Sequence, residues 1–205
     1  MYKKKPIRDT HEHMHGKALI LKLFEIGAVR FGSFPLKNGS TSPIYIDLKV
    51  IFSHPKLFVA LAEALHAQVK NNHFQLVCGA PYTALPLATA ISIQHTIPMV
   101  LLHKDKSEYQ ALEAHRPKQP CLVVEDVISS GQSVLQTIAA LEREGLSVEY
   151  IGVLIDREQG GRKRLEGLGY RLHALFTISS IVEALLAEAL IDPVTAATVL
   201  AFLKE

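Results

Sequence analysis

The sequence predicts an α/β fold built on a central, mostly parallel sheet flanked by helices. Two observations point there. From about residue 44 onward, short apolar runs of strand length alternate with segments whose apolar residues recur at helical spacing. The run Leu122 to Ile128 then passes through Ser129, Ser130 and Gly131 straight into a helix start, a join that suits a parallel sheet covered on both faces.

Taken in order, Leu19, Ile20, Leu23, Phe24 and Ile26 approach helical spacing, which predicts a helix over Lys17–Val29 before Gly32 and a hairpin around Asn38 and Gly39. Ile44 to Asp47 reads as a strand. Ser53 and Pro55 open a helix that runs through Val69, since proline's missing N–H costs nothing in a first turn. There follow a short buried strand over Gln75–Cys78, a helix near Ala84–Gln94, a strand at Pro98–Leu102 and a polar segment from His103 to Gln119. Beyond the strand ending at Ile128, Val134, Leu135, Ile138 and Leu141 line one helix face and Gly145 suits its C′ position. Strands at Glu149–Ile155 and Arg171–Phe176 flank a basic helix around Gly161–Leu168, and Asp192 with Pro193 caps a last helix over Thr195–Leu203. Ligands of such sheets sit beyond the carboxyl ends of the strands, where Tyr82–Thr83, Ser129–Ser133 and Asp156–Arg157 all fall.

A chain of 205 residues, 48% hydrophobic and 20% charged, buries a full core, and one domain over residues 1–205 is expected, with residues 1–16 a flexible N-terminal segment. The net charge of +2 gives no strong pull toward nucleic acid or an anionic membrane, so small anionic ligands fit better. Cys78 and Cys121 lie in apolar strand-like runs, where a thiol behaves as a small hydrophobe, and their spacing suggests neither zinc nor a disulfide. The basic start, Met1 to Arg8, is followed by no apolar signal region, and no run reaches about 18 apolar residues, so a cytoplasmic location is expected. His11, His13 and His15 alternate along one side of an extended segment, but a terminal position argues against metal binding there.

The chemistry concentrates at residues 125–133. The backbone N–H groups of Ser130, Gly131, Gln132 and Ser133 can cradle a phosphate at the positive end of the following helix. Glu125 and Asp126, ionised at neutral pH, offer paired acceptors to vicinal ribose hydroxyls. On pattern alone, an ordinary strand-to-helix turn with Ser129 or Ser130 as N-cap accounts for the segment equally well.

The stretch Leu122 to Ser133 resembles the phosphoribosyl pyrophosphate (PRPP) motif of type I phosphoribosyltransferases, in which two acidic residues precede a phosphate loop. The segments Phe31 to Asp47, Cys78 to Pro86 and Asp156 to Gly161 are similar to orotate phosphoribosyltransferases, over about residues 17–205, and in particular to the corresponding domain of bifunctional UMP synthases. The resemblance implies a type I phosphoribosyltransferase fold with a small hood from the N-terminal region. It implies transfer of the phosphoribosyl group of PRPP to N1 of orotate, giving orotidine 5′-monophosphate and pyrophosphate. Magnesium would be held mainly by substrate oxygens and water, with no protein metal cage, and the assembly would be a homodimer.

Carried over residue by residue, the resemblance assigns PRPP to Lys37, Tyr82, Thr83, His103, Lys104, Tyr109 and the run Glu125, Asp126, Val127, Ile128, Ser129, Ser130, Gly131, Gln132 and Ser133. Orotate falls to Tyr45, Ile46, Ser129 and Arg157, and the catalytic roles to Lys104 and Asp126. The residue types suit these roles. Arg157 offers a planar fork for orotate's carboxylate, Tyr45 a ring to lie along the base, and Ser129 keeps the hydroxyl of the family's usual threonine. The mobile loop departs from the family pattern: His103 stands for its arginine, Ser107 for its second lysine and Gln110 for its glycine, while Lys104 and Tyr109 match. A second class therefore stands beside the enzyme, a homologue that binds nucleotide or PRPP as a sensor with weak or no catalysis.

Overall fold

The computed structural model describes residues 16–35, 39–105, 108–111 and 117–204; the side chains of residues 104, 105 and 108–111 lie outside that description. Helix α1 (Gly16–Glu25) buries Leu19, Ile20 and Leu23 on one face. It stops short of the expected Val29. The Ala28 N–H donates to the Leu23 carbonyl at 2.9 Å, closing the helix end, and Val29 is released to open a strand.

That strand, β1 (Val29–Pro35), pairs antiparallel with β2 (Thr41–Ile46), with Arg30 opposite Tyr45 and a bulge between Phe31 and Phe34. The pair stands apart from the main sheet as the small hood expected of the N-terminal region. A 3-10 turn over Leu48–Ser53, capped by the Asp47 carboxylate, leads into α2 (Pro55–Val69), whose Pro55 sits in the first turn.

The main sheet has five parallel strands. In spatial order they are β4 (Met99–Val100), β3 (Leu76–Gly79), β7 (Pro120–Ile128), β8 (Ser147–Asp156) and β9 (Arg171–Thr177). Their residues alternate between two cores, as period-two side-chain direction requires. Val77, Leu122, Val124 and Leu154 face a cluster completed by α1, α2, α3 (Leu85–His95) and α6 (Ile178–Ala187). Cys78, Cys121, Val123 and Val153 face a second cluster closed by α4 (Gln132–Arg143) and α5 (Gly161–Gly167). Both thiols are buried and neither is in a disulfide, and burial pushes Cys121 well up, so both behave as the small hydrophobes their runs suggested.

Two features go beyond the expectations. Within the polar segment after Leu102, β5 (Leu102–Asp105) and β6 (Glu108–Ala111) pair antiparallel, with His103 opposite Gln110 and Lys104 opposite Tyr109. Its residues lack apolar alternation, so the usual strand signal is missing. Helix α6 also goes beyond the sequence reading. Its Thr177 accepts from the Ser180 N–H at 3.0 Å while the Ser180 hydroxyl accepts from the Thr177 N–H at 2.9 Å, a capping box closed by serine rather than the usual glutamate or glutamine. Helix α7 (Pro193–Phe202) starts at the expected Asp192 cap and packs on β2. No helix of the described residues is long and apolar enough to cross a membrane.

Candidate active site

Strand order locates the site. From β3 the chain crosses outward through α3 to the edge strand β4, whereas from β7 it crosses through α4 the other way to β8. The crevice between neighbouring β3 and β7, outside their carboxyl ends, is therefore the topological switch point, where ligands of open parallel sheets bind. Gly79 ends β3 against Val124 of β7, and the Ala80 N–H carries the ladder on to the Val124 carbonyl at 2.8 Å. A side chain at Gly79 would bring its Cβ within 2.7 Å of the Ala84 carbonyl, so only glycine lets the start of α3 fold down beside the strand. The connecting turn holds Tyr82 out at 66% exposure, with Thr83 half-buried beside it.

Opposite that turn, Ile128 ends β7 and Gly131 caps α4 with a left-handed φ of 74°. Among the described residues, the N–H groups of Ser130, Gly131, Gln132 and Ser133 have no hydrogen-bond partner. Four successive donors at the start of a helix form the anion cradle that the sequence suggested.

The acidic pair beneath the cradle divides into two different groups. Glu125 is 4% exposed; its Oε2 accepts from the Ser133 hydroxyl at 2.6 Å and its Oε1 from the Asp126 N–H at 3.0 Å. Burial pushes its carboxyl up to about 8, only partly offset by the serine hydrogen bond. Burial thus favours the protonated form of Glu125. Asp126 is half-buried, and its Oδ1 accepts from the Val127 N–H at 2.7 Å.

The third rim segment follows β8. The Arg157 N–H donates to the Ile128 carbonyl at 2.9 Å, and the Gly161 N–H to the Ser129 carbonyl at 2.8 Å, so this segment is laced to the phosphate loop. A Cβ on Gly161 would press within 2.8 Å of the Ile128 side chain, which makes that contact glycine-dependent. Arg157 is half-buried, burial lowers its pKa, and no described carboxylate pairs with it. An arginine merely parked in a surface ion pair would look otherwise.

The other described residues singled out from the sequence lie on the hood and on the hairpin. Tyr45 and Ile46 lie on β2 and point to opposite faces; Ile46 packs on the main core. The Tyr45 ring has Arg30 Cζ 4.8 Å from its centroid and the Phe34 ring at 5.3 Å. His103 is exposed on β5. The side chains of Lys104 and Tyr109 lie outside the described residues, as do Lys37, Ser107 and the histidines at 11, 13 and 15. A groove of about 780 Å³ beside Phe24, Arg30, Phe34 and Leu190 belongs to the hood and is lined by none of the rim residues.

This geometry has known counterparts. The phosphoribosyl transferase domain profile matches residues 48–168. The orotate phosphoribosyltransferase of Chlamydia caviae is 39% identical over 186 residues, covering 87% of this chain and 89% of that protein. The chain belongs to the orotate phosphoribosyltransferase family. Bovine uridine 5′-monophosphate synthase is 43% identical over 194 residues, 92% of this chain but 40% of that protein. The structure of Leishmania donovani UMP synthase superposes with a TM-score of 0.83 at 30% identity, covering 94% of this chain and 43% of that one. The chain thus spans less than half the length of these synthases and most of the length of the Chlamydia caviae protein.

Family membership also makes sense of residues that sequence reasoning does not assign a role. The Asp156 carboxylate, 1% exposed, accepts from Arg162 Nε and from the Glu158 N–H, both at 2.8 Å. Glu158 in turn accepts from the Ser179 N–H at 2.7 Å in the first turn of α6. These contacts hold the orotate phosphoribosyltransferase segment around Arg157 in one shape. Their sequence trace is a glutamate two positions and an arginine six positions after an aspartate at a strand end, too common to be informative beforehand.

Proposed function

We propose that the chain, as one domain over residues 1–205, is an orotate phosphoribosyltransferase that works in the cytoplasm on PRPP and orotate. The observation that carries this reading is the N–H cradle of Ser130–Ser133, without partner among the described residues, with a half-buried Arg157, likewise unpaired among them, laced directly to it. One half suits a 5′-phosphate and the other a planar carboxylate.

In the reaction the C1–O bond to pyrophosphate breaks, a C1–N1 bond to orotate forms, and the N1 proton is lost. Asp126 faces the ribose as an ionised acceptor and stabilises positive character at C1. Glu125, tied to the Ser133 hydroxyl and to the Asp126 N–H, fixes the cradle at the end of β7. The Tyr82–Thr83 turn and Lys37 serve the pyrophosphate, Arg157 with Tyr45, Ile46 and Ser129 the orotate, and the 102–111 hairpin brings Lys104, His103 and Tyr109 toward the leaving group. Most of the catalysis is then positioning and charge stabilisation.

Magnesium fits this donor set in only one way. Glu125 is buried and tied to Ser133, and the described rim groups no three metal-ligating side chains, which does not suit a protein cage. Asp126 would contact the ion's waters while PRPP oxygens held the ion, which would neutralise the pyrophosphate. We further propose a homodimer in which the hairpin of one protomer serves the other's site.

A sensor with weak catalysis is the second reading, favoured by His103 on the hairpin where the family has arginine. Chromatographic identification of the product formed with PRPP, magnesium and either orotate, uracil or adenine tests the assignment. Orotidine 5′-monophosphate from orotate alone supports it, and product from adenine or from no base overturns it.

A further inference from the structure

We propose that Glu63, His66 and His95 form a binding site for a divalent transition-metal ion, zinc by preference, that pins α2 to α3 away from the crevice. Glu63 and His66 are three residues apart on α2 and so share a helix face, while His95 is the last residue of α3. The crevice lies at the other end of α3, ten residues of helix away, or about 15 Å. This is a separate place from the phosphoribosyl site.

The donors already converge. One donor atom from each of the three side chains lies within 4.8 Å of the other two. Oε2 of Glu63 is 3.0 Å from Nε2 of His95, and the two imidazoles stack with centroids 3.4 Å apart. Tetrahedral zinc with bonds near 2.0 to 2.1 Å sets its ligand atoms about 3.3 Å apart, so the stacked rings must turn out of parallel for each to present a nitrogen to one ion.

The polar accounting favours an ion over a plain ion pair. Nε2 of His95 is buried and has no hydrogen bond among the described residues, because the nearby carboxylate is close but not aligned to accept one. A nitrogen lone pair in that position is satisfied by a metal. Glu63 and His95 keep 39% and 21% side-chain exposure, so the pair is reached from solvent on the carboxylate side. Two imidazoles and one carboxylate suit zinc, whereas magnesium and calcium favour all-oxygen surroundings, so the ion bound in the crevice would not compete here.

The test uses the full chain, stripped with a chelator and titrated with zinc against a chromophoric competitor. One zinc per chain is expected, with affinity lowered at least about tenfold by His66→Gln or His95→Gln and less by Glu63→Gln. Cobalt in place of zinc should give the strong visible bands of a four-coordinate site in the wild type, and zinc-edge anomalous scattering from crystals should place the ion between α2 and α3. These last two readouts need no variant to fold. Absence of stoichiometric binding overturns the proposal, as does zinc that survives the double change His66→Gln, His95→Gln but is lost when His11, His13 and His15 are replaced.

Discussion

The Ser133 hydroxyl donates a 2.6 Å hydrogen bond to Oε2 of the buried Glu125, fastening the first turn of α4 to the acidic end of β7. The donor of the phosphate cradle and the acid beneath it are thus one unit, and the acid's charge state becomes a property of the site.

That relationship sets a pH dependence. The folded carboxyl titrates at about 8 against an ordinary value of 4.5, so the folded chain holds a proton that the unfolded chain releases. The stability tied to this proton is complete below the unfolded value and is lost as pH rises toward the folded one, at about 1.4 kcal/mol per pH unit. Glu125→Gln removes the cost of keeping the site neutral. Relative to wild type, the variant should gain stability steadily from pH 5 to pH 8, reaching on the order of 3 kcal/mol near neutrality. Urea unfolding across that range measures it, and a difference that does not change with pH would return Glu125 to the ionised form.

Arg157→Ala should weaken orotate far more than PRPP. The side chain is half-buried and unpaired among the described residues, whereas the cradle beside it is built from backbone. Loss of a charge-assisted fork from a carboxylate costs about 2 to 4 kcal/mol in orotate binding. Calorimetry with each ligand separates the cases, and equal weakening of both would make Arg157 a support of the loop instead.

Asp126→Asn should impair PRPP and orotidine 5′-monophosphate alike and leave free orotate nearly untouched. Asp126 is the more exposed carboxyl of the pair and the one able to face developing charge at C1, so the loss in turnover should exceed the loss in affinity. PRPP affinity and turnover that stay at wild-type level would take Asp126 out of the reaction.

The altered hairpin offers a gain of function. His103→Arg together with Ser107→Lys restores the cations that family members carry there, and should raise turnover at least about tenfold while changing orotidine 5′-monophosphate affinity little. The comparison is steady-state turnover against equilibrium binding in the same buffer. Brisk wild-type turnover with no gain would show that the hairpin is not deficient.

Much of this was readable from residue order. The strand–turn–helix join at 122–133, the Asp192 cap and Gly145 at the C′ position of α4 all stand where local pattern puts them. What escaped local pattern depends on tertiary surroundings. The helical spacing of Ile26 carries the expected first helix to Val29, yet pairing of Val29 with Ile46 draws that residue into the hood. Nothing in the letters Glu125–Asp126 says that one carboxyl sits in an apolar core and the other at its edge. The same holds for Asp156 and Glu158, whose partners lie on other elements, and for His66 and His95, which meet only when α2 packs on α3.

Pyrophosphate release in a single turnover, with the wild-type chain at saturating PRPP and magnesium, is the most direct measurement. Orotate-dependent release of about one equivalent per site, absent with uracil or without base, is the expected result. PRPP that binds but yields no pyrophosphate when orotate is added would contradict the assignment as an enzyme and leave a sensor in its place.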